Sequence, residues 1–228
     1  MIRKPTYNNR VLSTEERDEF CRISDEYINE FSEYIEGIHQ LAKEAPISAN
    51  SDYNKIIKTI INIETFTNYA FCDCIVLNKL FVRATNHYEK SFIRGKLKVQ
   101  LNESFRRLYG FNDKGYKESY CAQLENIITM FPGFKREFDE LLSDLGQIAK
   151  DSWWKDERNA EVHINTSKLY ELRHEEINES KVVMETWQLT ELFNHVNRFI
   201  CRLHRMYFNY ITAQFIKQNG YNPYTKLK

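Results

Sequence analysis

The chain has 228 residues, 42% hydrophobic and 14% aromatic, enough to bury a full core as one domain. Seven Gly and four Pro are too few for the turns of a sandwich, a barrel or an open α/β sheet, which leaves a small number of long elements. Lys plus Arg and Asp plus Glu both total 32, so no global field draws the protein onto a polyanion, and any such partner must be held locally.

Ser13-Thr14-Glu15-Glu16 reads as a capping box, in which the Ser hydroxyl and a Glu carboxylate satisfy free amides at a helix start. The stripe Phe20, Ile23, Tyr27, Phe31, Tyr34, Ile38 and Leu41 advances in helical steps until Ala45-Pro46, which predicts a helix over 14–44. After the polar loop 48–52, a second helix carries Tyr53, Ile56, Ile60, Ile63, Ala70, Phe71, Cys74 and Leu77 into the 80s. A third, over about 88–109, sets Leu97, Leu101, Phe105 and Leu108 on one face and stops at Gly110.

Asn112-Asp113-Lys114-Gly115 is read as a turn, and a short helix then runs through Tyr120, Leu124, Ile127 and Ile128 to the break at Phe131-Pro132-Gly133. The next helix begins near Phe134 with Phe138, Leu141, Leu142, Leu145 and Ile148. Continuing its phase passes through Ser152, Asp156, Asn159 and His163, which would put polar groups on the inward face. Residues 164–180 are expected to be a loop with one helical piece near 168–173. A long closing helix then runs from Val183 through Trp187, Leu192, Val196, Phe199, Leu203, Tyr207 and Ile211 to about Gln218. The expected fold is all-α, a helical bundle of five to seven helices with a long C-terminal helix in a single domain over 1–228.

Lys90, Arg94 and Lys98 recur every four residues, with Lys96, Arg106 and Arg107 nearby. Such a helix-long basic stripe could track an RNA backbone by counterion release, or it could be a solvated face opposite Leu97 and Leu101. Trp153-Trp154 could stack bases or fill a core or interface. Five scattered Cys do not suggest a disulfide framework, and Cys72 and Cys74, two residues apart on a helix, diverge by about 200° and cannot share an ion. No metal and no cofactor is expected. Without a leader or a run of eighteen apolar residues, the expectation is a cytoplasmic protein with no membrane partner.

Chemistry is concentrated at Arg158-Asn159-Ala160-Glu161-Val162-His163. On a helix Asn159 and His163 face the same way, and Arg158 lies about 100° around. The set suits a phosphate: a guanidinium to grip its oxygens, an amide to orient, and an imidazole that moves a proton near neutral pH. The bare spacing recurs at Arg198 and His204, but only Arg158 is followed by Asn. The bland alternatives are a buried, bonded His163 and an ion pair of Arg158 with Glu161 or Asp156.

Arg158-Asn159 followed after four residues by His163 resembles the motif of the higher eukaryotes and prokaryotes nucleotide-binding (HEPN) superfamily. These are helical bundles marked by Arg, often a polar residue after it, four to six residues, then His. The resemblance covers roughly 85–220, with helices over roughly 14–84 packed on that core and carrying no family signature. It implies a metal-independent endoribonuclease in which the ribose 2′-hydroxyl attacks the adjacent phosphate. His163 would serve as general acid or base, Arg158 as the stabiliser of phosphoryl charge and Asn159 as a positioning group. One His per chain implies a homodimer, and the family implies RNA as substrate, with an antitoxin protein as a further partner in a toxin or phage-defence setting. The alternatives are a non-catalytic module of the same type, which dimerises or binds a nucleotide or RNA, and an unrelated bundle.

Overall fold

The computed structural model describes residues 11–44, 51–150, 155–163 and 166–220. These residues form an all-α bundle with nine α-helices and no strand: α1 Thr14–Glu44, α2 Ser51–Arg83, α3 His87–Leu108, α4 Asp113–Lys117, α5 Tyr120–Ile128, α6 Lys135–Lys150, α7 Lys155–His163, α8 Thr166–His174 and α9 Glu179–Asn219. The helix count rises above the expected one for two reasons. Asn112 caps the amide of Gly115 at 2.8 Å and turns the expected turn into α4. The stretch expected as one helix from 134 to 163 is described in two parts, α6 and α7, on either side of residues 151–154, which lie outside the described residues.

Sequence signals account for the helix ends. Ser13 and Glu16 exchange the reciprocal bonds of a capping box, Ser13 N to Glu16 Oε2 at 2.8 Å and Glu16 N to Ser13 Oγ at 3.2 Å. Asn86, Ser119 and Asn178 cap α3, α5 and α9 through their side chains. Gly220 closes α9 in the left-handed conformation at φ 75°.

Gly110 ends α3 for a steric as well as a conformational reason. Its φ is +82°, and a Cβ there would stand 2.4 Å from the carbonyl carbon of Gly115, so the chain folds back on itself with backbone against backbone. Gly110→Ala is therefore expected to destabilise the protein by about 2 kcal/mol or more, a drop in melting temperature of several degrees. Gly133→Ala, at a site with open space around the added carbon, should be nearly silent. Equal melting temperatures for the two variants would refute this account.

α2 lies at the centre of the bundle, packed on α1, α3, α5 and α9. Its Ile60, Ile63, Phe71, Cys74 and Ile75 join Leu97, Leu101, Leu124, Phe138, Phe199 and Leu203 in the main core. A second cluster, with Phe20, Phe81, Val183 and Trp187, closes the end where α1 begins and α2 ends. α2 is, among the described residues, the helix apolar enough to cross a membrane, with an 18-residue window of mean hydropathy 1.2. Half of that window is buried in the bundle.

The polar residues of α2 pair in register with α9. Thr186 Oγ1 donates to Asn78 Oδ1 at 2.6 Å, Thr67 Oγ1 and Asn68 Nδ2 donate to Asn197 Oδ1 at 2.9 Å, and His204 Nδ1 meets Glu64 Oε2 at 2.6 Å. At the far end Tyr207 Oη donates to Tyr53 O at 3.2 Å. A slip of one turn would leave every rung of this ladder unpaired inside the core, so it fixes the antiparallel alignment of the two helices.

Candidate functional site

α7 is a nine-residue helix laid antiparallel across α3 and against α8, and three contacts hold it there. Ala160 is its buried apolar residue. Glu161 turns its carboxylate inward, 5% exposed, to meet Arg173 of α8 at 2.6 Å and Lys96 of α3 at 3.9 Å. α3 makes room with Gly95, where a Cβ would come within 2.1 Å of Glu161 Oε1. One turn earlier Arg158 reaches Glu103, its Nε 2.6 Å from Oε1 and a second guanidinium nitrogen on the same carboxylate.

The buried side of α7 is thus centred on Ala160 and Glu161, about 130° from the Asn159 and His163 face that the continuous stripe predicted. Residues 151–154, which include Trp153-Trp154, lie outside the described residues. The side chain of Asp156 is likewise outside them.

Arg158 and Asn159 come together. A terminal guanidinium nitrogen donates to Asn159 Oδ1 at 2.9 Å, and the Arg158 side chain keeps 17% of its surface open to solvent. His163 stands exposed at the C-terminal end of α7. Among the described residues no side chain holds its ring. Arg158 takes its carboxylate from Glu103, fifty-five residues away, and not from Glu161, which belongs to Arg173.

The basic stripe of α3 is not a free surface. Lys90 pairs with Glu179 at the start of α9, and Arg94 is buried, donating to Leu172 O at 2.7 Å and meeting Glu175 at 3.1 Å. Lys98 is half-buried. Lys90 and Arg94, expected to track RNA, instead tie α3 to α9 and to the end of α8. Sequence reading also missed Glu103, Gly95 and Arg173 as the supports of α7, since nothing in local periodicity says which helix will cover a face.

The second Arg–His spacing comes apart: Arg198 is exposed, whereas His204 is turned in on Glu64. Around Glu64 gather Tyr34, whose hydroxyl donates to Oε1 at 2.5 Å, and Cys201, 2.7 Å from the Tyr34 oxygen. Burial pushes the Cys201 thiol up to about 12, so at neutral pH it is an uncharged hydrogen-bonding group and not a nucleophile. Among the described residues no group of three or more His, Cys, Asp or Glu is placed to hold a metal ion. Cys74 is fully buried and Cys72 is not, as their divergence on α2 requires.

The arrangement on α7 can bind an anionic oxygen through the open edge of Arg158, donate through the Asn159 amide and shuttle a proton through an exposed imidazole. No family model, no curated protein and no solved structure matches the chain.

Proposed function

We propose that the chain is a metal-independent endoribonuclease of the HEPN type. The observation that carries this reading is the Arg158–Asn159 pair, fixed by Glu103 on the same short helix whose end presents His163 to solvent. The ribose 2′-oxygen forms a bond to phosphorus while the bond to the 5′-oxygen breaks, leaving a 2′,3′-cyclic phosphate and a 5′-hydroxyl. One group takes the 2′-hydroxyl proton and another gives a proton to the departing 5′-oxygen. His163 fills one of these roles and Arg158 offsets the charge growing on the phosphoryl oxygens. The second proton-transfer group comes from a second copy of the chain, and deoxyribose, lacking the 2′-hydroxyl, is not cut.

His163→Ala is expected to lower RNA cleavage in the presence of a chelator by at least about a hundredfold. Its melting temperature should be unchanged, because the side chain is exposed. Arg158→Ala should lower cleavage to a similar degree. Undiminished cleavage by His163→Ala would end the reading. If the protein acts as a toxin restrained by an antitoxin, growth arrest on expression should depend on the same histidine.

A second reading is favoured by one observation: Glu103 already neutralises Arg158, which weakens its grip on a phosphate. In that case the bundle is a non-catalytic module that dimerises or binds RNA, a nucleotide or a partner. RNA retained without cleavage, and independently of His163, would select it.

A further inference from the structure

We infer that an open cleft at the C-terminal end of α3 binds a nucleotide, phosphate against its cations and base against its aromatic ring. This goes beyond the proposed cleavage, since it requires no bond to break, and it falls on residues that the α7 motif does not include.

The cleft exists because α3 ends at Gly110. The close passage of Gly110 against Gly115 turns the chain back, so that Lys114 of α4 faces Arg106 and Arg107 of α3 across a space of about 450 Å³. That volume suits one nucleotide-sized ligand. Arg107 is held by stacking its guanidinium on the Tyr120 ring at 4.6 Å, which presents its donors in a fixed plane. Among the described residues, neither Arg107 nor Lys114 has a carboxylate partner. Lys90, Arg94 and Lys96, by contrast, are taken up by Glu179, Glu175 and Glu161.

Two carboxylates, Glu103 and Glu118, also line the cleft. Glu103 is engaged by Arg158 and lies 3.8 Å from Arg106, so its charge is largely offset; Glu118 then stands against Arg106, Arg107 and Lys114, and the net charge a ligand meets is positive. Phe111 supplies the apolar wall. Its ring is 37% exposed yet anchored 5.2 Å from that of Phe105, leaving one side for a stacked base. Two cations without carboxylates beside an anchored, open aromatic ring make the paired chemistry of a phosphate with a base. A bare anion site would not need the ring. Glu103 contributes to both the cleft wall and the support of Arg158, so the cleft adjoins the α7 motif.

The ligand can be a free nucleoside phosphate or a nucleotide within an RNA strand, and the probes separate the two. Titrations of the full chain with ADP, inorganic phosphate and a short fluorescein-labelled poly(A) RNA, at one fixed salt concentration, are compared with those of three variants. The first is Arg107→Ala with Lys114→Ala, the second Phe111→Ala, and the third, as a control, Lys135→Ala with Arg136→Ala on the exposed surface of α6. The double variant in the cleft is expected to weaken ADP or RNA at least tenfold, and the control less than twofold. Phe111→Ala should weaken the nucleotide probes but not phosphate.

Displacement of the RNA by ADP supports a site for either source, and binding of RNA alone supports the strand. Equal losses in the cleft and control variants, affinity for phosphate as great as for ADP, or no binding of any probe overturns the inference. Lys114→Glu, an exposed change that leaves the fold alone, should reverse binding on its own. Binding that survives His163→Ala while cleavage is lost upholds both proposals. Cleavage that depends on His163 but is accompanied by unchanged binding in the cleft variants overturns this one alone.

Discussion

Glu179→Ala is expected to destabilise the fold by about 3–5 kcal/mol, lowering the melting temperature on the order of 10 °C. Glu179 opens α9 directly after its Asn178 cap and is 4% exposed. One carboxylate oxygen pairs with Arg17 of α1 and accepts the Leu12 amide at 3.2 Å, and the other pairs with Lys90 of α3. Three helices are therefore joined at one charge, which also sits favourably at a helix N-terminus. Removing it leaves the Arg17 and Lys90 side chains, 23% and 13% exposed, as partly buried cations without a counter-charge. Their desolvation is then uncompensated, which makes the loss larger than the worth of the pairs themselves. Arg22→Ala is the contrast: its partners Glu19 and Glu26 are both on the surface, and its loss should be small. Urea unfolding of the two variants side by side measures the difference, and a Glu179→Ala loss as small as that of Arg22→Ala would show that the node does not hold the helices.

The same node shows what could and could not be read along the chain. The capping box at Ser13, the stripes of α1, α3 and α9, and the stops at Gly110 and Gly220 are local matters, decided by spacing and by backbone freedom within a few residues. They stand where spacing puts them. Lys90 and Arg94 were equally regular, and regularity alone cannot tell a solvated face from one covered by a distant segment. Their partners Leu172, Glu175 and Glu179 lie about eighty residues on.

The candidate site divides in the same way. Arg158 beside Asn159 is legible because neighbours in sequence stay neighbours on a helix. The roles of Glu103, Gly95 and Arg173 are not, because they depend on α7 lying across α3. The stripe of α6, continued in phase, runs through Asn159 and His163, but within α7 it is Ala160 and Glu161 that face inward.

Replacing Glu64 should have an effect comparable to that of losing Glu179, and one that depends on pH. The Glu64 carboxylate is 1% exposed between α1 and α9 and serves as the common acceptor for His204 and Tyr34. Burial works to raise its pKa, but the hydrogen bond and charge of His204 and the bonds from Tyr34 and Cys201 together outweigh it, holding the carboxyl below its ordinary value of 4.5. A carboxyl with a lower pKa in the folded than in the unfolded state stabilises the fold while ionised. That contribution is complete above the unfolded value and is lost as pH falls through the folded one. The protein should therefore lose stability as pH drops below about 4.5, and Glu64→Gln, which cannot ionise, should flatten that part of the profile. At pH 7 Glu64→Ala is expected to cost about 3 kcal/mol or more, because His204 and Tyr34 are left as donors without their acceptor. Replacing the group as a whole, Glu64→Leu with His204→Leu and Tyr34→Phe, should recover much of that loss, since the expense lies in the orphaned partners and not in the absence of the charge. Urea midpoints measured from pH 3 to pH 7 decide the matter: profiles for wild type and Glu64→Gln that run parallel on the acid side would show that Glu64 is not the group whose protonation loosens α2 from α9.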